Sequence, residues 1–156
     1  MSIAQSISTP RLTLDSLVST LKDGQIGFRE ASEKVKDTDL KEFFSRRSLQ
    51  RAKFAGELEV VLRELGERDP QDNKPSLSGA LHRSWIDLKA AVSKHDRHAV
   101  LAEAERGEDV AFSAYRDALD RQDWSATTRA ILVKQAAEVQ KSHDEVKALR
   151  DASAGK

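Results

Sequence analysis

The chain has 156 residues, with 26 basic and 26 acidic side chains that cancel to zero formal net charge, and it contains no cysteine. Zero net charge argues against a cationic nucleic-acid binder, so no nucleic-acid partner is expected. The lack of cysteine excludes disulfides, thiolate metal sites and cysteine nucleophiles. With 38% hydrophobic but only 5% aromatic residues, the composition favours one helical domain.

Apolar residues then recur with helical spacing along most of the chain. The predicted bounds of four long helices, A, B, C and D, are 12–36, 40–65, 97–121 and 126–152. Residues 1–11 and 153–156 are expected to be flexible tails flanking one domain over 12–152. The crossover over 67–95 begins with a proline-containing linker and carries a short extra helix at about 77–92.

The lengths of the connections predict the topology. Short turns join A to B and C to D, so each pair is predicted to form an antiparallel hairpin. The crossover is long enough to run the length of the bundle, which would make B and C parallel. The predicted fold is therefore all-α, a ferritin-like four-helix bundle of two antiparallel hairpins joined by a long crossover.

Several short strings carry a resemblance to a known family. They are Leu21-Lys22-Asp23-Gly24, Arg51-Ala52-Lys53-Phe54-Ala55, Gly79-Ala80-Leu81-His82-Arg83-Ser84-Trp85 and Glu105-Arg106-Gly107-Glu108-Asp109. Together they resemble a family of small bacterial ferritin-like bundle proteins catalogued as a domain of unknown function. The resemblance implies a ferritin-like fold and a bacterial, cytoplasmic setting, and it implies no established activity.

One carboxylate stands where the pattern of helix C requires an apolar residue. Glu108 lies three residues before Ala111 and seven before Tyr115, on the inward face. Arginines interrupt the inward face of helix B at a similar height. We therefore predict an interior polar network in which Glu108 is ionised and pairs with an arginine of helix B, with Arg51 as the expected partner, rather than with a metal. Its predicted members are Arg47, Arg51, Glu108, Gln135 and Glu138.

A metal centre is the first alternative. Di-iron ferritin-like bundles use a Glu on each of two helices and Glu-x-x-His on each of the other two. Both Glu-x-x-His motifs are absent here, so no metal and no cofactor are expected, with iron or manganese as the alternative. If a metal binds, the candidate ligands are Glu103, Glu108, Glu138 and His143.

Two further sites are considered. His82, one turn from Trp85 on the crossover helix, is expected to bond a carboxylate such as Glu105 or Asp109 as a supporting group. A small-ligand or anion site around Arg47 and Arg51 is the second alternative. No nucleophile or catalytic motif accompanies any of these residues, so no catalytic residue is assigned.

The sequence leaves three function classes open. They are a non-catalytic helical interaction or stress-related protein, a carboxylate-bridged metal protein, and a small-molecule binder. A homodimer is expected, because zero net charge offers little resistance to self-association, and Phe112, Trp124 and Leu132 are its candidate patch. No membrane partner is expected, because no run approaches the ~18 apolar residues of a span. Without a signal peptide, the expected compartment is the cytoplasm.

Overall fold

The computed structural model describes residues 9–66 and 79–153, with backbone only for 79–84. These described ranges contain five helices: α1 Pro10–Lys34, α2 Thr38–Glu64, α3 Gly79–Ser93, α4 Arg97–Leu119 and α5 Ala126–Ser153. No strand occurs within these residues, which confirms the all-α class. Residues 1–8 and 154–156 of the expected tails lie outside the described residues. So do residues 67–78, which include the proline-containing linker and the predicted start of the short extra helix.

The first helix begins earlier than the sequence pattern predicted. The Thr9 hydroxyl accepts a hydrogen bond from the backbone N–H of Leu12 at 3.1 Å, and Pro10 opens the helix. Proline suits this position because the N–H it lacks would have no partner within the helix. Arg11, placed in a tail by the sequence, donates instead to the backbone carbonyl of Gly66. The boundary at residue 11 was therefore wrong.

The second hairpin follows its predicted bounds closely. Asp96 caps α4 by accepting from the N–H of Ala99 at 3.1 Å, and the helix begins at the predicted residue, Arg97. In the turn that follows α4, the indole of Trp124 donates to the carbonyl of Ala118 at 2.7 Å. Helix α5 then continues to Ser153, one residue beyond the predicted end.

Contacts between α2 and α4 fix their relative direction. At the start of both helices, Arg97 binds Asp37 at 2.6 Å and Asp39 at 2.8 Å. Near the middle of both, Arg51 contacts Glu108. Like ends meet like ends, so α2 and α4 run in the same direction. Helix α3 packs against α1 and α4.

The buried apolar side chains form two clusters at opposite ends of the bundle. The first contains Leu14, Leu17, Leu21, Phe54, Leu58, Tyr115, Leu132 and Val139, among others. The second contains Phe28, Leu40, Phe44, Leu88, Leu101 and Val146, among others. The buried Arg51 and Glu108 belong to neither cluster. No helix in the described part of the chain is long and apolar enough to cross a bilayer.

One member of the apolar patch proposed for dimerisation is inaccessible to a partner, and the other two are half-buried. Leu132 is fully buried, and Phe112 and Trp124 pack against the first apolar cluster. From their spacing, these residues were predicted to lie near or beyond the edge of the inward face. The turn between α4 and α5 instead brings Trp124 against the first apolar cluster. Leu132 therefore cannot belong to a dimer contact.

Candidate functional site

A buried ion pair lies at the middle of the bundle. Arg51 and Glu108 each expose only 1% of their surface. One Arg51 Nη donates to Oε1 of Glu108, and the other donates to the side-chain oxygen of Gln50. The guanidinium carbon lies 5.5 Å from the ring centre of Phe28, a cation–π distance. The arginine and carboxylate that the sequence singled out are therefore in direct contact.

A series of side-chain hydrogen bonds lies next to this ion pair. The Tyr115 hydroxyl donates to Oε1 of Gln135 at 2.7 Å, and Nε2 of Gln135 donates to Glu57 at 2.8 Å. Burial raises the pKa of Tyr115 well above its usual value, although the nearby Arg51 charge opposes this shift. Gln135 was predicted in the network, whereas Tyr115 and Glu57 were not. Tyr115 was assigned to the apolar face, which gives no hint of where its hydroxyl points.

Two predicted members of the network lie elsewhere. Arg47 pairs with Glu145 of α5, at the edge of the bundle. Glu138 is exposed, and its assignment to the interior was wrong. Val139 is fully buried, and successive helical residues differ by about 100° around the axis. Glu138 is consequently turned out of the core.

A second cluster of charged groups lies on the seam between α4 and α5. The Nε2 atom of His143 is 2.8 Å from Asp109 and 3.4 Å from Glu105. Its Nδ1 atom is 3.2 Å from Asp144. Arg150 binds the other oxygen of Glu105 at 2.6 Å. The Glu105 and Asp109 carboxylates thus meet on one histidine.

That histidine differs from the one named by the sequence. His82 was expected to meet Glu105 or Asp109, but its side chain lies outside the described residues. His143 fills this position among the residues that the structure describes. The pairing depends on how α4 and α5 align across the bundle, and helical spacing within either one does not reveal it.

The sequence that forms this site matches a known protein-family model. Residues 11–121 match the family model of a domain of unknown function (DUF2383). The chain belongs to the DUF2383 family. A search of curated proteins gave no match.

The DUF2383 match covers only some of the residues that form the site. It covers α1 to α4 and includes Arg51, Glu108, Glu105 and Asp109. It ends before α5, which supplies His143 and the glutamine of the buried hydrogen-bond chain.

The metal ligands suggested by the sequence are not assembled as one group in this DUF2383 protein. Glu103 lies 3.2 Å from Arg106, and Glu108 is bound to Arg51. Glu138 faces solvent. The set Glu103, Glu108, Glu138 and His143 was therefore wrong as a single site. Among the described residues, the carboxylate–histidine group within ligand distance is instead Glu105, Asp109 and His143.

Proposed function

We propose that this chain is a ferritin-like bundle protein of the bacterial cytoplasm that acts non-catalytically, through contacts made by its surface. In this proposal an ion pair occupies the place of the di-iron centre of metal-binding bundles. The observation that carries it is the burial of Arg51 on Glu108 at mid-bundle. The parallel α2 and α4 support the ferritin-like arrangement, which needs one long crossover. The stress-related role stays a prediction.

The guanidinium opposes a metal at this position for two reasons. Its charge repels a cation, and its hydrogen bond occupies one oxygen of Glu108. The facing buried positions of α5 carry Gln135, Val139 and Ser142, none of which supplies a carboxylate or an imidazole. A dinuclear centre needs about four carboxylates at this level, and the described interior does not provide them.

Metal analysis tests the proposal directly. Tag-free protein would be analysed for iron and manganese, alongside the variant Glu108→Gln and the surface control Glu59→Gln. We expect no iron or manganese that depends on Glu108, and therefore the same metal content in all three proteins. Two equivalents of iron or manganese in the wild type, lost only in Glu108→Gln, would overturn the proposal and place the chain with the metal-binding bundles.

A small-molecule binder remains the second candidate because of one cavity. A space of about 220 Å³ lies between α1 and α3, and the indole nitrogen of Trp85 has no hydrogen-bond partner among the described residues. Neither Arg47 nor Arg51 lines this space, so the geometry does not favour the anion site expected at those arginines. Quenching of tryptophan fluorescence by an apolar ligand, abolished by Trp85→Phe but retained by Trp124→Phe, would favour this candidate.

The homodimer also remains a proposal, with a new candidate face. On α2, Leu49 is 69% exposed and Val60 is 45% exposed. The two residues are eleven positions apart, a separation that rotates the side-chain direction around the helix axis by three full turns and about 20°. Both side chains therefore lie on the same outer face of α2. Sedimentation should show a dimer that Leu49→Glu dissociates. Val133→Glu, on α5, serves as the control. A wild-type monomer at high micromolar concentration would contradict the proposal.

A further inference from the structure

We propose that Glu105, Asp109 and His143 form a mononuclear binding site for a borderline divalent cation, of which zinc is the best representative. The site lies on the seam between α4 and α5, apart from the buried Arg51–Glu108 pair. It goes beyond the function proposed above, and it makes no use of the mid-bundle interior.

The spacing of the donor atoms fits one small cation. The Nε2 atom of His143 is 2.8 Å from an oxygen of Asp109 and 3.4 Å from an oxygen of Glu105. All three donor atoms lie within 4.8 Å of one another. Tetrahedral zinc with bonds of ~2.0–2.1 Å to nitrogen and oxygen separates its ligands by about 3.3 Å. Small side-chain movements would therefore complete the coordination.

Neighbouring side chains hold two of these ligands in a suitable orientation. The Nδ1 atom of His143 lies 3.2 Å from Asp144, and a proton there leaves the Nε2 lone pair available. Arg150 binds Oε1 of Glu105 at 2.6 Å, which leaves Oε2 directed at the histidine. Metal sites commonly use such outer carboxylates and donors to fix the tautomer and the orientation of their ligands.

The charge of the cluster also suits a divalent ion. Two carboxylates face one imidazole, so a divalent ion would be matched by the formal charge of its ligands. Arg150 adds positive charge nearby, but its other nitrogen lies 3.1 Å from Asp151, which offsets part of it.

The ligand types and their exposure narrow the choice of metal. Magnesium and calcium prefer all-oxygen sites, whereas an imidazole with carboxylates suits zinc, iron(II) or manganese(II). The Asp109 side chain is 61% exposed, while those of Glu105 and His143 are largely buried. A cation could therefore enter from the Asp109 side, and the remaining position would be open to water, as in zinc sites with three protein ligands.

Calorimetric titration of the tag-free chain with zinc chloride tests the site. The wild type should bind one equivalent. His143→Gln and Asp109→Asn should each weaken binding at least tenfold. The matched control is His98→Gln, since His98 contacts Ser153 near the far end of the same two helices and no carboxylate of the cluster. This control should bind zinc as the wild type does.

A thermal melt separates loss of the site from loss of the fold. Asp109 is exposed, so Asp109→Asn should melt near the wild-type temperature without metal. Zinc should raise the melting temperature of the wild type and of His98→Gln but not that of Asp109→Asn. The proposal fails if the wild type binds no zinc, if His143→Gln binds as tightly as the wild type, or if His98→Gln abolishes binding. Because Glu108 is absent from this site, any of these failures leaves the mid-bundle proposal intact.

Discussion

Gly27 and Trp85 are in direct contact at the place where α3 crosses α1. A Cβ atom added to Gly27 would lie 2.5 Å from Cε3 of the indole, closer than two carbon atoms can approach. The indole also packs edge-on against Phe28, with ring centres 5.2 Å apart. The glycine thus provides the room that seats α3 on the bundle.

Replacing Gly27 with alanine should destabilise the protein by about 1–3 kcal/mol, because the added methyl group forces the rigid indole out of its position. Urea unfolding measures the change. The matched control is Gly56→Ala, at an exposed position of α2 where an added Cβ would meet nothing within 4 Å. That variant should be stabilised by about 0.5–1 kcal/mol through helix propensity. If both variants behave alike, the indole does not depend on the glycine.

Removing one partner of the buried pair should be costly. Glu108→Ala should lower the free energy of unfolding by ~3–5 kcal/mol, because Arg51 would be left charged and buried without its partner. Glu59→Ala, which breaks the exposed pair with Lys22, should cost only about 0–1 kcal/mol. Replacing both Arg51 and Glu108 with well-packed apolar residues should cost much less than Glu108→Ala. A double-mutant cycle gives the coupling energy, and a thermally silent Glu108→Ala would contradict the pairing.

Tyr115 is the single tyrosine of the chain, so its ionisation can be followed by absorbance alone. Burial raises its pKa, so the native protein should form tyrosinate only well above pH 10, whereas the chain in denaturant should titrate near 10. A raised folded-state pKa means that the stability contributed by this group is fully present below about pH 10 and is lost as pH rises further. A native titration near pH 10 would show that the hydroxyl reaches water.

His95 has a backbone φ of 55°, the left-handed conformation, at the turn that follows α3. Glycine adopts this conformation without the strain that a Cβ creates, so His95→Gly should raise stability by about 1 kcal/mol. His95→Ala keeps the Cβ and should give no such gain. Equal stability of the two variants in chemical denaturation would show that the backbone there is relaxed.

Most of the correct predictions about the fold came from the helical periodicity of apolar residues in the sequence. The start of α4 at residue 97 was predicted correctly, and Asp96 caps the helix there. The start of α1 was missed because Thr9 and Pro10 precede the first apolar residues of the stripe. Glu108 was recognised as interior because it replaces an apolar residue within a long inward series, and that signal is local.

The remaining parts of the site depend on distances between helices. His143 on α5 contacts Asp109 on α4, and the spacing of residues within each helix does not reveal how the two helices align. Tyr115 was assigned to the core correctly, yet the bond from its hydroxyl to Gln135 depends on α5. The partner of Arg47 could not be foreseen for the same reason.

The position of the ion pair, outside both apolar clusters, has a consequence for helix register. Sliding α2 by one helical turn, about 5.4 Å, would draw Arg51 away from Glu108 and into one of those clusters. An unpaired buried charge costs several kcal/mol, so such a misaligned bundle would be strongly disfavoured, although its leucines could still interdigitate. Apolar packing holds the helices together, and the single polar contact selects one alignment among those that packing alone would tolerate.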